Sequence, residues 1–335
     1  MLGGGGIAGY AFHCAALTAL ERETGFDPRT AEIIVGTSAG AICGAIVRGD
    51  VPTAELSRRL LESATSPGEM DTLQMISGRA PRAVPKLWTG PGAPRMAVSE
   101  IRRGRNIRLS RLVAALLPQG RQRLTPITEP LDELHHAGWP AKAFWVPATE
   151  LESGELTVFG RDVLPPEPPD ATVARAVEAS AALPVFFSPV VIDGRSYIDG
   201  GIGSPFNVDL LTDYRSADNK ALDLLLVSAP LSLNELRTDT PISSITRSLP
   251  RRRLRSELRQ IADGGTETMV IEPDQAVAAA MGLNPMDHRS APAIMVNTEE
   301  LVRRQLSALS PTARAALERA ATLTSPADSA YPTAL

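Results

Sequence analysis

The sequence predicts an α/β fold in which a mostly parallel central sheet is covered by helices on both faces. Over most of the 335 residues, short runs of β-branched and aliphatic residues alternate with segments whose apolar residues recur at helical spacing. Residues 222–227 form an apolar run that is typical of a strand buried on both faces. With 43% apolar and 21% charged residues, the chain has the composition of a globular protein with a large core.

The first part of the chain is predicted to contain mainly helices. A shared apolar face supports a helix over residues 7–24, and the β-branched run that ends at Val35 supports a short strand. Residues 65–105 are rich in Pro, Gly and Arg and lack a clear period, which indicates an excursion dominated by loops. Further segments with helical spacing are 39–47, 53–64, 107–117 and 127–137.

Two hairpins and a final α/β part are predicted for the remainder. Ser153-Gly154 and Asp193-Gly194 each separate two strand-like runs and suit tight turns. The expected strands are 144–149, 155–159, 190–192, 196–198, 222–227 and 267–272, and the expected helices are 171–181, 243–260 and 297–322. Because no repeat and no linker occur, we expect a single domain over residues 1–325, with a variable excursion at 65–140 and a disordered tail at 326–335.

Composition and spacing argue against several functional classes. A net charge of −4 and the lack of a recognition motif argue against nucleic-acid binding. Cys14 and Cys43 lie in apolar helical stretches, which predicts buried thiols, and the four histidines lack the spacing of a zinc site. We therefore expect no metal and no cofactor. Without a long apolar run or a signal-like start, we expect a cytoplasmic protein that at most contacts a membrane surface.

A Gly-x-Ser-x-Gly segment, formed by Gly36, Ser38 and Gly40, follows the first predicted strand and leads directly into a helix. A nucleophile at such a turn has a strained backbone that exposes its hydroxyl group. The flanking glycines remove side chains that would collide with the strand and the helix. Ser38 is therefore a candidate nucleophile, and the alternative is that it only caps the helix.

Four consecutive glycines, Gly3 to Gly6, precede the first helix, and Gly9 lies in its first turn. The backbone amides of such a loop can face an anion. A phosphate loop needs Lys-Ser or Lys-Thr after the glycines, and a dinucleotide site needs an acidic residue about 20 positions further on, at the end of the next strand. The chain lacks both features, so an oxyanion hole for an ester explains the loop better. A flexible turn is the alternative.

Asp199 ends a predicted strand and enters a loop that contains Gly200 and Gly201. A carboxylate at this place can reach a serine at the end of a neighbouring strand. Partial desolvation would raise its pKa and make it a better base. The alternative is an ordinary turn aspartate, a role for which Asp193 is the better candidate.

Together and in this order, these segments resemble the patatin-like phospholipase family. The likeness extends from residue 2 to about residue 210, and the combination is far more specific than any single motif. The matching segments are Gly4-Gly5-Gly6-Ile7-Ala8-Gly9, Gly36-Thr37-Ser38-Ala39-Gly40, residues 179–189 (ASAALPVFFSP) and Asp199-Gly200-Gly201.

The resemblance implies a three-layer α/β/α fold and a Ser–Asp dyad that hydrolyses acyl esters of lipids, of the phospholipase A or lysophospholipase type. Ser38 would be the nucleophile and Asp199 the base. The oxyanion hole would consist of the amides of Gly5, Gly6 and Ala39. The expected partner is a lipid or fatty-acyl ester.

Two features differ from the family pattern. Ala8 stands where members usually have Arg or Lys, so any contribution from that cation is absent. Only Met1 and Leu2 precede the glycines, where members usually have several strand residues. We therefore expect a short first strand or a native start further upstream.

Two other functions stay open. Ser38, Asp199 and His288 occur in the chain order of a Ser–Asp–His α/β-hydrolase, although that fold places more strands before its nucleophile. His288 lies in a polar segment, NPMDHRS, and is expected to be solvated. The other function is a catalytically silent binding module with the same fold.

An arginine-rich segment from Arg247 to Arg259 has helical spacing, with Leu249, Leu254 and Leu258 on one side. Such a helix can lie on anionic lipid, which would give a transient contact with a membrane surface. It can also be a solvated helix that is neutralised by the protein's own carboxylates. We favour the second interpretation.

Overall fold

The computed structural model describes residues 1–65, 92–102, 109–161, 168–212, 214–215, 220–233, 241–263, 265–282 and 284–322. Within them, the helices are α1 Gly6–Thr24, α2 Ala39–Arg48, α3 Thr53–Thr65, α4 Pro94–Arg102, α5 Leu109–Leu116, α6 Thr125–Leu134, α7 Val173–Ser180, α8 Pro241–Asp263, α9 Gln275–Met281, α10 Ala291–Ser307 and α11 Pro311–Thr322. The strands are β1 Ile33–Val35, β2 Ala143–Glu150, β3 Leu156–Phe159, β4 Val190–Ile192, β5 Arg195–Asp199, β6 Leu224–Ser228 and β7 Glu267–Ile271.

One half of the sheet is parallel. β1 pairs with β2, and β6 pairs with β7, both in parallel. Leu2 lies between these two pairs and forms parallel bridges to Gly36 and Ser228. The strand order in this half is therefore β7, β6, Leu2, β1, β2, and the short first strand consists of little more than one bridging residue.

The other half of the sheet is antiparallel. β2 pairs with β3 and with β5, and β5 pairs with β4. The predicted hairpins at Ser153-Gly154 and Asp193-Gly194 are confirmed. Asp193 and Gly194 have φ values of 47° and 73°, the left-handed conformation that a two-residue turn of this kind requires.

The sheet separates two apolar cores. Because successive side chains of a strand point to opposite faces, Ile34 and Phe144 pack with α1, α2 and α7 on one face. Val35 and Trp145 pack with Leu254 and other residues of α8 on the opposite face. Helices thus cover both faces, and the predicted α/β class with its layered arrangement is confirmed.

Two predicted elements differ from the structure. Part of the predicted loop excursion, Pro94–Arg102, is a helix; the rest of it, residues 66–91 and 103–105, lies outside the described residues. The predicted helix over 297–322 is two helices. Ser310 interrupts it because its hydroxyl accepts the N–H of Ala313 and so begins a new helix at Pro311. The predicted tail at 326–335 also lies outside the described residues, and the single domain stays a prediction.

Helix α8 contains the described part of the arginine-rich segment. Leu254 and Leu258 are buried in the core. Arg253 forms ion pairs with Asp209 and Glu257, and Arg255 pairs with Glu272. This arrangement matches the interpretation of a helix neutralised by the protein's own carboxylates, and membrane contact stays a prediction.

Cys14 and Cys43 are buried free thiols, as predicted. None of the described helices combines the length and the apolar character needed to cross a bilayer.

Arg48, the last residue of α2, joins three segments at the amino ends of β1 and β2. Its guanidinium donates to the carbonyls of Arg29, Ala31 and Ala143 at distances of 3.1, 2.8 and 2.9 Å. The side chain is largely buried, and burial lowers its pKa to about 10. Removing this donor leaves carbonyls without a partner in a place that water reaches poorly.

We expect Arg48→Met to lower the free energy of unfolding by about 2–3 kcal/mol, since hydrogen bonds to a charged group are lost at a buried position. Arg58→Met is the matched control, because Arg58 pairs with Glu55 on the surface and is 54% exposed. Its effect should stay below about 1 kcal/mol. Urea denaturation of both variants measures the difference, and equal effects would contradict the structural role of Arg48.

Candidate active site

Ser38 lies at the turn between β1 and α2, with φ of 55° and ψ of −119°. A positive φ in a residue other than glycine costs about 1–3 kcal/mol and persists only where the surroundings enforce it. Here the enforcement is close packing: a Cβ on Gly40 would lie 2.1 Å from the carbonyl oxygen of Leu2. Ser38 occupies the N-cap position of α2, but its side chain makes no capping hydrogen bond to the helix.

Asp199 lies at the end of β5 and is 3% exposed. Its Oδ1 accepts the N–H of Gly201 at 2.7 Å, while the buried Oδ2 has no hydrogen-bond partner among the described residues. Burial raises the pKa of this carboxyl to about 6, although the nearby Ser38 hydroxyl and the Gly201 amide each favour the ionised form. The desolvated carboxylate is therefore a stronger base than an exposed aspartate.

The sheet brings the carboxyl ends of β1 and β5 toward each other, and with them Ser38 and Asp199. β1 is parallel to β2, with Val35 opposite Trp145. β5 is antiparallel to β2, with Asp199 opposite Ala148. The carboxyl ends of β1 and β5 therefore meet along β2, which places the turn after β1 against Asp199. The Oδ2 of Asp199 accepts no hydrogen bond from the described residues, so this oxygen is available to take up a proton.

The glycine loop lies directly beside this turn. A Cβ on Gly4 would be 3.5 Å from the Cβ of Ser38. Gly6 has φ of 62°, and a Cβ there would lie 2.6 Å from the carbonyl oxygen of Pro285, so the loop requires glycine at this position. The N–H of Gly4 donates to the carbonyl of Pro205 at 2.8 Å.

The amides of Gly5, Gly6 and Ala39 have no hydrogen-bond acceptor among the described residues. Two of these residues, Gly5 and Ala39, are buried. Buried amides without a partner are rare, because each costs about 1–3 kcal/mol. Gly5 and Gly6 directly follow Gly4, which lies beside Ser38, and Ala39 directly follows Ser38, so all three amides belong to the two segments that meet at this serine.

Two side chains that sequence reasoning missed hold the site in place. Asn207 donates from Nδ2 to Thr37 Oγ1 at 3.0 Å and to the carbonyl of Gly200 at 3.2 Å, and so joins the serine turn to the aspartate loop. Ser180 accepts the N–H of Ser38 at 3.0 Å. Both side chains are buried. Asn207 follows the aspartate motif and Ser180 lies in the ASAALP segment, but their partners are distant in sequence.

His288 is buried in a short 3₁₀ turn, His288–Ser290, so the expectation of a solvated histidine is wrong. The segment NPMDHRS is polar, yet it packs against α1 and α10, which remove the His288 side chain from solvent. No hydrogen bond joins His288 to Ser38 or Asp199 among the described residues.

A cavity of about 480 Å³ lies away from this site. It is lined by residues at the amino ends of the parallel strands, including Met1, Ile33 and Leu224. Ser38 and Asp199 lie at the carboxyl ends of β1 and β5. Neither Ser38 nor Asp199 lines this cavity, which is therefore separate from the candidate site.

A family model described as Patatin-like phospholipase matches residues 1–212. The chain belongs to the patatin-like phospholipase family. The matched part of this patatin-like chain contains the glycine loop, the Ser38 turn and the Asp199 loop.

The individual proteins that this patatin-like chain resembles either match only a short part of it or share little sequence identity with it. It is 33% identical over 52 residues to the probable lipid hydrolase 463L of Invertebrate iridescent virus 6, a match that covers 16% of this chain and 18% of that protein. The solved structure of VipD from Legionella pneumophila aligns with 14% identity and a TM-score of 0.40, covering 91% of this chain and 66% of VipD. The type III effector ExoU aligns with 17% identity and a TM-score of 0.29, covering 95% of this chain and 68% of ExoU.

Asp199→Asn should stabilise the protein at neutral pH. The pKa of Asp199 is raised from 3.8 to about 6 in the folded state, so the ionised carboxylate opposes folding above that pH. A shift of this size corresponds to about 3 kcal/mol as an upper limit. We expect Asp199→Asn to raise the melting temperature at pH 8 and the gain to disappear below about pH 4, where both folded and unfolded wild type carry a neutral carboxyl.

Asp193→Asn is the matched control for this measurement, because Asp193 is exposed and asparagine tolerates its left-handed backbone. Its melting temperature should follow that of the wild type at every pH. A stabilisation by Asp199→Asn that does not depend on pH would contradict desolvation of the ionised carboxylate as its cause.

Proposed function

We propose that this member of the patatin-like phospholipase family is a lipid acyl hydrolase that cleaves carboxylic esters through a covalent Ser38 acyl-enzyme, with Asp199 as the base. The observation that carries the proposal is the buried Oδ2 of Asp199, without a partner among the described residues, next to a serine in a strained turn. Membership of a family of phospholipases and the name of the viral relative, a probable lipid hydrolase, favour lipid esters as the substrate class.

In the first step, Ser38 Oγ attacks the ester carbonyl and its proton passes to Asp199. A carboxylate with a pKa near 6 is a suitable acceptor, because its environment favours the neutral form that the transfer creates. The negative charge that develops on the carbonyl oxygen is stabilised by the amides of Gly5, Gly6 and Ala39. Each such donor typically lowers the barrier by about 3 kcal/mol.

The tetrahedral intermediate then collapses. Its bond to the leaving alcohol breaks, and Asp199 returns the proton to that alcohol, which leaves an acyl group on Ser38. Water repeats the sequence: Asp199 accepts a proton from the attacking water and gives it to Ser38 as the fatty acid departs. No histidine is needed at any step, because the carboxyl accepts and returns the proton itself.

Substitution of either member of the dyad should abolish turnover. We expect Ser38→Ala and Asp199→Asn to lower kcat by at least about 10³-fold toward p-nitrophenyl esters and phospholipids, as loss of a nucleophile or its base does elsewhere. Asp193→Asn and His288→Gln should retain activity. If His288→Gln is inactive and Asp199→Asn is active, the enzyme is instead a Ser–Asp–His hydrolase.

A fluorophosphonate probe tests the remaining alternative, a silent binding module. We expect the wild type to be labelled at Ser38 and Ser38→Ala to remain unlabelled, since the probe reacts only with an activated serine. Mass spectrometry locates the adduct. Wild-type protein that is folded and remains unlabelled would favour the binding module.

The pH profile should report the buried carboxyl. Because Asp199 must be ionised to accept a proton, kcat/KM should fall about tenfold per pH unit below about pH 6 and level off above it. His288→Gln should show the same profile. An acidic limb centred near pH 4, the value of an exposed aspartate, would contradict the assignment of Asp199 as the base.

A further inference from the structure

His13 is a buried histidine that the proposed reaction does not use. It lies in the second turn of α1 and is fully inaccessible to solvent. Its Nδ1 is 2.7 Å from the hydroxyl of Ser228, and its Nε2 is 2.7 Å from the carbonyl oxygen of Gly3. A carbonyl only accepts, so Nε2 carries the proton, and Nδ1 accepts the hydroxyl hydrogen of Ser228.

One hydrogen bond of His13 reaches the glycine loop at its first residue, Gly3, and the other reaches Ser228 of β6. Gly3 also donates its N–H to the carbonyl of Ser228 at 3.0 Å. The peptide between Gly3 and Gly4 therefore has both polar groups bound: its carbonyl oxygen by His13, and its N–H, which belongs to Gly4, by the carbonyl of Pro205 at 2.8 Å.

The next two peptide groups of the loop, Gly4–Gly5 and Gly5–Gly6, contain the N–H groups of Gly5 and Gly6. Neither N–H has an acceptor among the described residues. Glycine backbones rotate freely, so side chains of the loop itself cannot fix the direction of these amides. The Gly5–Gly6 peptide is held directly, because the N–H of Gly9 donates to the carbonyl of Gly5 at 2.9 Å. The Gly4–Gly5 peptide, which carries the amide of Gly5, has no such bond among the described residues, so its direction depends on the adjoining Gly3–Gly4 peptide. His13 provides the one bond to that peptide that comes from a side chain among the described residues.

We propose that His13 is a positioning residue that holds the Gly3–Gly4 peptide and thereby directs the neighbouring amide of Gly5 toward the oxyanion of the reacting ester. This role rests on the proposed acyl hydrolase function. His13 touches neither substrate nor reacting atoms, and it acts only through the loop.

The charge state of His13 suits this role. Burial lowers its pKa to about 4, and the hydrogen bond to Gly3 offsets only part of that effect. The ring is therefore neutral throughout the pH range in which Asp199 is ionised. A neutral ring keeps one donor and one acceptor, the combination that Gly3 and Ser228 require.

The test compares three substitutions with wild type. His13→Met removes the donor to Gly3 and should lower kcat by about 10- to 100-fold with KM changed less than about threefold, because an oxyanion donor acts mainly in the transition state. His13→Gln retains an N–H near the position of Nε2 and should recover most of kcat. Ser228→Ala leaves the bond to Gly3 and should have an effect of less than about tenfold.

A second readout separates positioning from loss of folding. A trifluoromethyl ketone adds to Ser38 and places an oxyanion in the same hole, so its inhibition constant should rise in parallel with the loss of kcat/KM across the variants. Melting temperatures show whether each variant is folded. His136→Met is the matched control, because His136 is exposed and distant in sequence from the loop, and its kinetics should equal those of wild type.

Each outcome has a distinct meaning. Wild type without Ser38-dependent esterase activity would reject the proposed function. An active wild type together with a folded His13→Met variant of unchanged kcat would reject the positioning role alone. A His13→Gln variant as impaired as His13→Met, or an inhibition constant that stays constant while kcat falls, would also reject it.

Discussion

The segment Met1 to Gly3 is hydrogen-bonded to strands on both sides, and the geometry of the site depends on it: Leu2 bonds the β1 side, and Met1 and Gly3 bond Ser228 of β6. The N–H of Leu2 donates to the carbonyl of Val35 at 2.8 Å, and its own carbonyl accepts the N–H of Thr37 at 2.9 Å. Gly3, the next residue, is bound to Ser228 of β6. Because one extended segment fixes both the end of β1 and the start of the glycine loop, the serine turn and the loop amides lie side by side.

The site concentrates features that are unfavourable for folding. Ser38 has a positive φ, Asp199 is an ionisable group shielded from solvent, and three amides lack acceptors among the described residues. Each of these costs on the order of 1–3 kcal/mol, and the apolar cores on the two faces of the sheet offset the sum. Groups that are left unpaired in the resting protein are available to bind a transition state, which is why such strain collects at catalytic sites.

The buried side chains around Ser38 and Asp199 share one structural role. Asn207, Ser180 and His13 are all buried, and each bonds backbone or side-chain groups of the serine turn or the glycine loop. Glycine-rich loops supply free amides but little rigidity of their own. A fixed geometry therefore requires hydrogen bonds from neighbouring elements, and in this protein they come from α1, α7 and the segment after the aspartate loop.

The elements that form from local sequence were predictable. Residues 6–24 and 39–48 have helical periodicity, Asp193-Gly194 is a turn by backbone preference, and the strand–turn–helix at Ser38 follows from its glycines. The break at Ser310 was missed, because a capping serine and a proline at the first helical position leave the apolar pattern almost continuous.

Tertiary structure decided the relations between segments. Sequence suggested Ser38, Asp199 and the glycine loop as parts of one site, but only the opposite directions of β1 and β5 along β2 bring the first two end to end. The same holds for Asn207 and His13, whose partners lie 170 and 215 residues away at Thr37 and Ser228. Local preference acts over a few residues, whereas burial, pKa and long-range hydrogen bonds depend on which surfaces the folded sheet brings into contact.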